Sequence, residues 1–576
     1  MALSKPFLSI LLSLLIAIYF KRRSSKRADN DPNLASVEDL KGPPRSSWLA
    51  GNLPDFVYTK NVGNEDNGLI RQFGLACRMK VTFNTDALFL ADPKGLQHVL
   101  NTSGYNFHKR DAAKLTHIML GAKNILAVEG EEHARQRRML TPSFSQSYLH
   151  EIVPEFTHTT SKLVELWNDL VATKQGAGID IDLHMWLSRL TLDALGQGVL
   201  SYDFKALTDE PSEYVAAFRG LFVDMFSQRT NAQLAIGDLM GKLPSFISRG
   251  LLNSSLSAMN RFQEFVSISS KISSSIMVRE KEAARLGQEL KSKDLLSTLS
   301  RPRFWCRFNN PLTDHRSLSV RANLSENPRS RLTDEEVLSQ MIAFTIAGHD
   351  TVSSMLQWVF YELSLHPEAQ AKIRKEIKLI KDVKGVQVLG PSEFESMHYT
   401  MAVLKETLRF HPVAPHNVRR ADRDDVIPLA YPLKTASGKE VHSIHVKKGQ
   451  TVFMSQYGYN QIEDLWGRDT DKWIPERFLN EKESERSKRT IGVFAHLATF
   501  SSGVHACIGW RFALLEMQAI LIGLLEHFEF APASSKPIIL RKLSSTMYAS
   551  TVIRKNRLDK YKKGHHRARP EDSDIT

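Results

Sequence analysis

The chain has 576 residues, of which 42% are hydrophobic, and carries a formal net charge of +13. A chain of this length can bury a large core. Its basic residues are scattered and no nucleic-acid-binding motif accompanies them, so the charge predicts a solvated basic surface and not a nucleic-acid partner. Its 3 dispersed cysteines do not form a disulfide framework, which favours a reducing compartment.

The N-terminus begins with an apolar stretch. Residues 2–20 approach the roughly 20 residues that span a bilayer, and a basic cluster at residues 21–27 follows directly. A cleaved signal peptide is the alternative, but no small-x-small cleavage site follows the apolar run. We predict an uncleaved single-pass anchor over residues 1–20, then a basic flank and proline-rich hinge over residues 21–45. The basic flank predicts that the rest of the chain lies on the cytosolic face of the endoplasmic reticulum.

The body of the chain, residues 46–554, contains no long linker and no internal repeat, so one large domain is predicted. Helical periodicity dominates, and strand-like runs occur near both ends, which predicts a mainly α fold with a small β portion. The basic segment at residues 555–576 is predicted to be a disordered tail. The predicted helices span residues 163–170, 186–200, 214–226, 259–285, 335–365 and 399–410, and the predicted strands span residues 78–83, 88–91, 451–456 and 537–552.

Two pairs of ionisable residues have helical spacing. His133 and Arg137 are four positions apart, and Glu406 and Arg409 are three apart, so each pair shares one helix face. Such pairs are common on solvated helices, and Arg135 beside the first pair strengthens that interpretation. Neither pair alone indicates a function.

The centre of the helix predicted over residues 335–365, for which Thr333 is a candidate N-cap, contains the sequence Ala-Gly-His-Asp-Thr at residues 347–351. Glycine costs a helix about 1 kcal/mol relative to alanine, and a buried acid or hydroxyl costs more unless it is hydrogen-bonded or used. One interpretation is a kink at which Thr351 bonds back to the preceding turn and Asp350 lies at the surface. The other is a functional acid and hydroxyl, and the pentapeptide alone does not decide.

The most specific signal is a glycine-containing loop that places a cysteine ahead of an apolar helix. Residues 500–509 read Phe-Ser-Ser-Gly-Val-His-Ala-Cys-Ile-Gly, and apolar residues at helical spacing follow over residues 510–530. A lone cysteine is usually a small buried hydrophobe. Here N–H groups at a helix N-terminus would stabilise a thiolate, and Gly503 and Gly509 would let backbone amides approach its sulfur. Cys507 is therefore predicted to be a thiolate ligand of iron.

The Phe-x-x-Gly-x-x-x-Cys-x-Gly motif and the Ile-Gly-Trp-Arg-Phe-Ala sequence after the cysteine resemble haem-thiolate monooxygenases of the cytochrome P450 superfamily, particularly fungal microsomal members. The resemblance implies the cytochrome P450 fold and a haem b whose axial ligand is the Cys507 thiolate. Phe500 would shield the sulfur, and Gly503, His505 and Gly509 would complete this part of the cofactor site. The family commonly has arginine at the position of His505, so a contact to a haem propionate would remain only as a hydrogen bond or partial charge.

The resemblance also assigns roles to the other motifs. Thr351 would hold the oxygen and a water, and Asp350 would relay protons to the distal oxygen. His133 and Arg137 would bind the haem propionates, for which a bidentate guanidinium is well suited.

A structural charge triad is implied by the same resemblance. Arg477, within Pro-Glu-Arg-Phe, would join Glu406 and Arg409 in the interior and support folding and haem retention.

Residues 300–319 lie between two segments of the sequence that resemble a continuous stretch in related fungal enzymes. This predicts that residues 300–319 are an inserted surface loop or translated intron sequence.

Together these features predict a membrane-anchored monooxygenase that oxidises an apolar small molecule, with a terpenoid or another secondary metabolite favoured. A separate NADPH-dependent flavoprotein reductase is the predicted electron donor, with cytochrome b5 as a further candidate, because the chain has no Gly-x-Gly-x-x-Gly dinucleotide site. Membrane lipid is a predicted partner of the anchor. One alternative is a haem-thiolate isomerase or dehydratase, which would need neither Asp350 nor Thr351. The other is a non-catalytic haem-binding sensor.

Overall fold

The computed structural model describes most of the chain between residues 33 and 551. The described residues are 33–59, 61–109, 123–173, 178–208, 212–218, 230–242, 257–286, 332–479, 491–533, 539–543 and 546–551. The predicted anchor, the segment 300–319 and the predicted tail lie outside them. Of the helices described, none is both long enough and apolar enough to cross a membrane.

Helices form most of the described regular structure, which confirms the mainly α prediction. In chain order they are α1 (Leu53–Val57), α2 (Asn64–Phe73), α3 (Pro93–Gln97), α4 (Gly130–Leu140), α5 (Gln146–Ala172), α6 (Leu183–Leu195), α7 (Glu213–Phe218), α8 (Asn231–Lys242), α9 (Ser257–Arg285), α10 (Asp334–Leu365), α11 (Pro367–Lys384), α12 (Pro391–Phe394), α13 (His398–Phe410), α14 (Gln456–Tyr459), α15 (Glu463–Trp466) and α16 (Trp510–His527).

The small β portion consists of three sheets. Its strands are β1 (Leu34–Ser36), β2 (Ala76–Val81), β3 (Thr85–Leu90), β4 (Phe107–Lys109), β5 (His416–Ala421), β6 (Asp425–Lys434), β7 (Glu440–Val446), β8 (Thr451–Ser455), β9 (Ile539–Leu543) and β10 (Met547–Thr551). The largest sheet has the order β2-β3-β8-β5-β4, and only its β3–β8 pair is parallel. A second sheet has the order β1-β7-β6, and β9 and β10 form an antiparallel hairpin.

Helix α10 begins at a capping box, which confirms the prediction that Thr333 is its N-cap. The Thr333 hydroxyl accepts the backbone N–H of Glu336 at 3.2 Å, and the Glu336 carboxylate accepts the backbone N–H of Thr333 at 2.7 Å. Both donors would otherwise be unpaired at the helix start. From this cap the helix continues to Leu365 with most of its residues buried.

The main hydrophobic core lies between α5, α6, α10 and α16. Helix α16 is apolar on nearly all sides because it is enclosed by other helices. Phe512 of α16 packs edge-to-face on Phe156 of α5, with ring centroids 5.1 Å apart. This packing fixes the start of α16, directly after the cysteine loop.

The segment predicted as a flank and hinge, residues 21–45, is ordered where the structure describes it. Strand β1 pairs in parallel with β7, and the carbonyl of Lys41 accepts the backbone N–H of Arg78 at 2.9 Å. A side chain on Gly42 would collide with the backbone of Arg78, so glycine is required for this close approach.

Candidate functional site

The cysteine loop is held by its own backbone and by a close contact to a neighbouring helical turn. The N–H of Cys507 donates to the carbonyl of Phe500 at 2.9 Å, and the N–H of Ala506 donates to the carbonyl of Gly503 at 3.1 Å. Gly503 has φ +66°, and a Cβ there would overlap the carbonyl of Leu100. The positive φ and the close contact both require glycine at position 503, so the backbone conformation of the loop before Cys507 is fixed.

Opposing effects act on the Cys507 thiol, which is solvent-accessible but closely surrounded by protein groups. Burial raises its pKa, while a hydrogen bond from the backbone N–H of Gly509 and the charge of Arg137 lower it. The net direction is upward, so the protein groups alone favour the thiol. A bound metal cation would favour the thiolate, as it does for coordinating thiols in general.

Helix α4 brings the two predicted propionate-binding residues to this loop. An Nη1–H of Arg137 donates to the carbonyl of Ala506 at 2.5 Å, which ties α4 to the residue before the cysteine. His133 is only 2% exposed, and its ring centroid lies 4.5 Å from that of His505. The Tyr105 hydroxyl is 3.2 Å from Nδ1 of His133. The structure therefore places His133, Arg137 and His505 in one cluster beside Cys507.

Three further members of this cluster were missed in the sequence. Lys109 and Arg419 lie directly opposite each other on the antiparallel strands β4 and β5, and both residues are buried. Glu129 accepts the backbone N–H of Lys109 at 2.8 Å, and its other carboxylate oxygen lies 3.1 Å from Nε2 of His505. Burial by itself would raise the pKa of Glu129, but the hydrogen bond from His505 and the Lys109 charge bring it down to about 2.

The charge balance of this cluster suits an anionic group. Two like charges directly opposite on neighbouring strands destabilise a sheet, and burial increases that cost. Glu129 is the carboxylate that the described contacts place beside Lys109 and Arg419, whereas Arg137 adds a third cation nearby. Two carboxylates such as haem propionates would balance these charges, so the residues fit a haem whose propionate edge lies at this cluster.

We expect His133 to make the fold sensitive to mild acid. Burial, then the charge of His505, lowers the pKa of His133 from 6.5 to about 3. The unfolded chain takes up this proton below 6.5 and the folded chain does not, so stability is present above 6.5 and is lost as pH falls toward 3. The loss approaches about 1.4 kcal/mol per pH unit. Urea unfolding of the haem-free His133→Phe variant between about pH 7 and pH 5 should therefore show a shallower pH dependence than that of the haem-free wild type.

The exposed residue His442 provides a control for this measurement. A His442→Gln variant should follow the wild-type pH dependence. If the His133→Phe variant also followed it, the buried imidazole would not be the group that titrates.

The centre of α10 contains the second predicted site. Ala347 is exposed although the helix around it is largely buried, so an accessible space reaches this turn. The Thr351 hydroxyl donates to the carbonyl of Ala347 at 2.7 Å, which is the back-bond expected from the kink interpretation. Asp350 is half-buried, and its Oδ2 accepts a hydrogen bond from Thr546 at 3.1 Å. The acid and the hydroxyl are thus both held in place beside this space.

Gly348 serves close packing between helices. A Cβ at this position would lie 2.7 Å from Cδ1 of Leu195, so glycine admits the last residue of α6 against α10. The neighbouring His349 is fully buried, its Nδ1 lies 2.7 Å from the carbonyl of Thr345, and its ring packs on Phe218. The histidine of the pentapeptide therefore faces the helical core and not the accessible space.

The structure also assembles the predicted charge triad. Glu406 and Arg409 are fully buried and make two hydrogen bonds, from Nε to Oε2 and from Nη2 to Oε1, both 2.8 Å long. Nε of Arg477 lies 3.4 Å from Oε1 of Glu406, which also accepts the N–H of Ile474 at 2.9 Å. The triad connects α13 to the segment that precedes the cysteine loop.

Comparison with known proteins identifies the family. The cytochrome P450 family model matches residues 41–554. Cytochrome P450 monooxygenase 128 of Postia placenta is 30% identical over 89% of both chains, and monooxygenase 91 of that organism is 32% identical over 87% of this chain and 89% of its own. Ganoderic acid synthetase of Ganoderma lucidum is 29% identical over 87% of this chain and 89% of its own. This chain belongs to the cytochrome P450 family.

Family membership confirms the predicted cofactor and reaction class. The protein is an oxidoreductase of the monooxygenase type, and its cofactor is haem b with a cysteine thiolate as axial ligand. It works with a redox partner that supplies electrons, and it acts on a small molecule.

Proposed function

We propose that this chain is a membrane-anchored monooxygenase that oxidises an apolar small molecule with Cys507 as the axial haem ligand. The observation that carries the proposal is the convergence of the Cys507 loop with a cationic cluster. Of the two cysteines described, Cys77 is 1% exposed and burial raises its pKa to about 12, so it is unsuited to metal binding. Cys507 is accessible and lies beside Arg137 and His505.

The residues of the cluster divide two tasks in this proposal, binding of the haem carboxylates and stabilisation of the Cys507 sulfur. Arg137, Arg419 and Lys109 hold the haem carboxylates, and Glu129 orients His505 through a hydrogen bond. The N–H of Gly509 and the charge of Arg137 stabilise negative charge on the Cys507 sulfur. When bound, the haem supplies the activation of dioxygen and the transfer of one oxygen atom to a C–H bond.

Proton delivery is assigned to Asp350 and Thr351. The carboxylate can accept and release a proton, and the Thr351 oxygen, whose own proton is donated to the carbonyl of Ala347, can accept a hydrogen bond from the group that is being protonated. Their half-buried positions at the accessible turn of α10 limit competition from bulk water. A haem-thiolate isomerase or dehydratase would not need this pair, and the names of the relatives support the monooxygenase.

The proposed substrate is an apolar secondary metabolite, with a terpenoid favoured. One relative, from Ganoderma lucidum, is named ganoderic acid synthetase, and this name supports the proposal. An apolar substrate also suits an enzyme at a bilayer, because it partitions into the membrane.

The electron donor and the location complete the proposal. A separate NADPH-dependent flavoprotein reductase, with cytochrome b5 as an additional donor, would dock on the basic surface. The apolar residues 2–20 and the basic residues 21–27 support anchoring in the endoplasmic reticulum membrane with the catalytic domain in the cytosol. Alkaline extraction of membranes tests this anchoring, and release of the full chain into the soluble fraction would contradict it.

The reaction is tested by expressing the full chain with a reductase and supplying a panel of apolar compounds under labelled dioxygen. Mass spectrometry should show products that gain one labelled oxygen atom. A Thr351→Ala variant should retain the haem spectrum while product formed per NADPH falls by up to about a hundredfold, within the range contributed by positioned proton transfer.

Thr345→Val is a matched control. The Thr345 hydroxyl makes the same kind of bond, to the carbonyl of Met341, but lies one turn further from the accessible space. This variant should couple NADPH to product as the wild type does. Unchanged coupling in Thr351→Ala would remove Thr351 from the proton path.

A further inference from the structure

We propose that Thr546 is a positioning residue that fixes the Asp350 carboxylate for proton delivery. This inference rests on the proposed role of Asp350. The Thr546 hydroxyl lies 3.1 Å from Oδ2 of Asp350 and 3.0 Å from the hydroxyl of Ser354. Thr546 is 8% exposed and Ser354 is 2% exposed, so the two hydroxyls are enclosed by protein groups while Asp350 is half-buried.

The available donors and acceptors fix the direction of the two hydrogen bonds that link Ser354, Thr546 and Asp350. The Thr546 hydroxyl has a single proton and donates it to Oδ2 of Asp350. The Thr546 oxygen can then accept from Ser354, which directs the proton of Ser354 toward Thr546. Asp350 and Ser354 are four positions apart on α10, so they share a helix face that Thr546 bridges. A Thr546→Val substitution would remove the hydrogen bond that Thr546 donates to this half-buried carboxylate.

Independent contacts hold the hairpin that carries Thr546. The N–H of the next residue, Met547, donates to the carbonyl of Val413 at 2.8 Å. The indole N–H of Trp358 on α10 donates to the carbonyl of Met547 at 3.1 Å. Because Met547 is bound on both sides and fully buried, Thr546 stays in place when only its hydroxyl is removed.

The consequence concerns the orientation of Asp350. A side-chain carboxylate turns about broad torsional wells, and one fixed oxygen removes most of that freedom. The hydrogen bond from Thr546 restrains Oδ2 and so contributes to the orientation of the carboxylate beside Thr351. Loss of the hydroxyl would remove this restraint, and misplacement of a catalytic group by about 1 Å can cost as much as a hundredfold in rate.

The test compares Thr546→Val, Thr546→Ser and Asp350→Asn in the full-length holoenzyme. Purified reductase and NADPH are supplied without an added substrate, so the result does not depend on the compound that the enzyme oxidises. NADPH oxidation is measured in H₂O and D₂O. Thr546→Val should slow it about tenfold and enlarge the solvent isotope effect, as expected when positioning for proton transfer is lost. Thr546→Ser retains the donor and should restore both values.

A double variant and a stability measurement separate positioning from packing. Thr546→Val added to Asp350→Asn should cause no further slowing, because the group that Thr546 orients is already changed. Thermal unfolding is measured for the wild type, Thr546→Val, Asp350→Asn and the double variant, and it should show coupling between the two sites. Thr546→Val should lower Tm less in the Asp350→Asn background than in the wild type. Thr345→Val, on the same helix but outside this chain of hydrogen bonds, should leave the isotope effect unchanged.

The outcomes distinguish this inference from the proposed function. If Asp350→Asn oxidised NADPH at the wild-type rate with the wild-type isotope effect, the role of Asp350 would fail and this inference with it. If Asp350→Asn were slowed but Thr546→Val were not, only the role of Thr546 would be overturned. Equal slowing in Thr546→Val and Thr546→Ser would also overturn it, since shape and not the hydroxyl would matter. Should Thr546→Val lose haem, Thr546→Ala is measured in its place, and a wild-type isotope effect there refutes the inference.

Discussion

A Cys507→Ser variant should lose monooxygenase activity completely. Thiolates are strong ligands for haem iron, and Cys507 is the described cysteine that is accessible and lies beside a cation, Arg137. Serine preserves the size of the side chain and the loop contacts to Phe500 and Gly503, so the loss would come from the ligand and not from the fold. Product formation with reductase and NADPH should fall to the background of the reductase alone.

Cys77→Ala is the matched control for this variant. Cys77 lies in β2 within a small apolar cluster that includes Phe89 and Phe453, away from the cysteine loop. Its substitution should cost some stability through lost packing but leave turnover per haem unchanged. Substantial turnover in Cys507→Ser, or its loss in Cys77→Ala alone, would mean that the wrong cysteine has been assigned.

A Glu406→Ala variant should show the largest loss of stability, about 3–5 kcal/mol, as expected when one partner of a buried ion pair is removed. Arg409 is fully buried and directs two N–H groups to Glu406 and three to backbone carbonyls. Without the carboxylate, the buried guanidinium of Arg409 loses two acceptors, and Arg477 loses its ion-pair partner as well. The expected result is a large decrease in the denaturation midpoint and a low yield of haem-loaded protein.

An exposed ion pair gives the comparison for Glu406. Lys123 and Glu335 lie 2.7 Å apart, but their side chains are 47% and 69% exposed. Exposed pairs contribute little because water screens both charges, so Glu335→Ala should leave the denaturation midpoint nearly unchanged. Similar midpoints for Glu406→Ala and Glu335→Ala would show that burial of the triad does not stabilise this fold.

Sequence patterns correctly predicted features that are determined by residues close together in the sequence. The apolar periodicity and the Thr333 cap predicted α10, and the spacing of Glu406 and Arg409 predicted their shared face. Helix α16 was predicted to extend to residue 530 but ends at His527, where the chain becomes extended. Strand β6 was not predicted, because Pro428 interrupts its pattern and the pairing with β7 shifts register after it.

The missed members of the site depend on contacts between distant segments. Lys109 and Arg419 are brought together only by the register of β4 and β5, and Glu129 reaches them from the start of α4. Each residue alone is an ordinary polar side chain, so no local spacing marked it. The adjacent arginines of strand β5, Arg419 and Arg420, were the one available signal. The hydrogen bond between Thr546 and Asp350 was missed for the same reason, since 196 positions separate the two residues.

The carbon monoxide spectrum of the reduced, haem-loaded protein tests the central assignment most directly. Two imidazoles, those of His133 and His505, lie in the cluster beside Cys507, so a histidine ligand is a concrete alternative. Coordination by Cys507 predicts the red-shifted Soret band of a thiolate-ligated haem in the wild type and its absence in Cys507→Ser. An imidazole-type Soret band in the active wild type, or a thiolate-type band that persists in Cys507→Ser, would contradict the account.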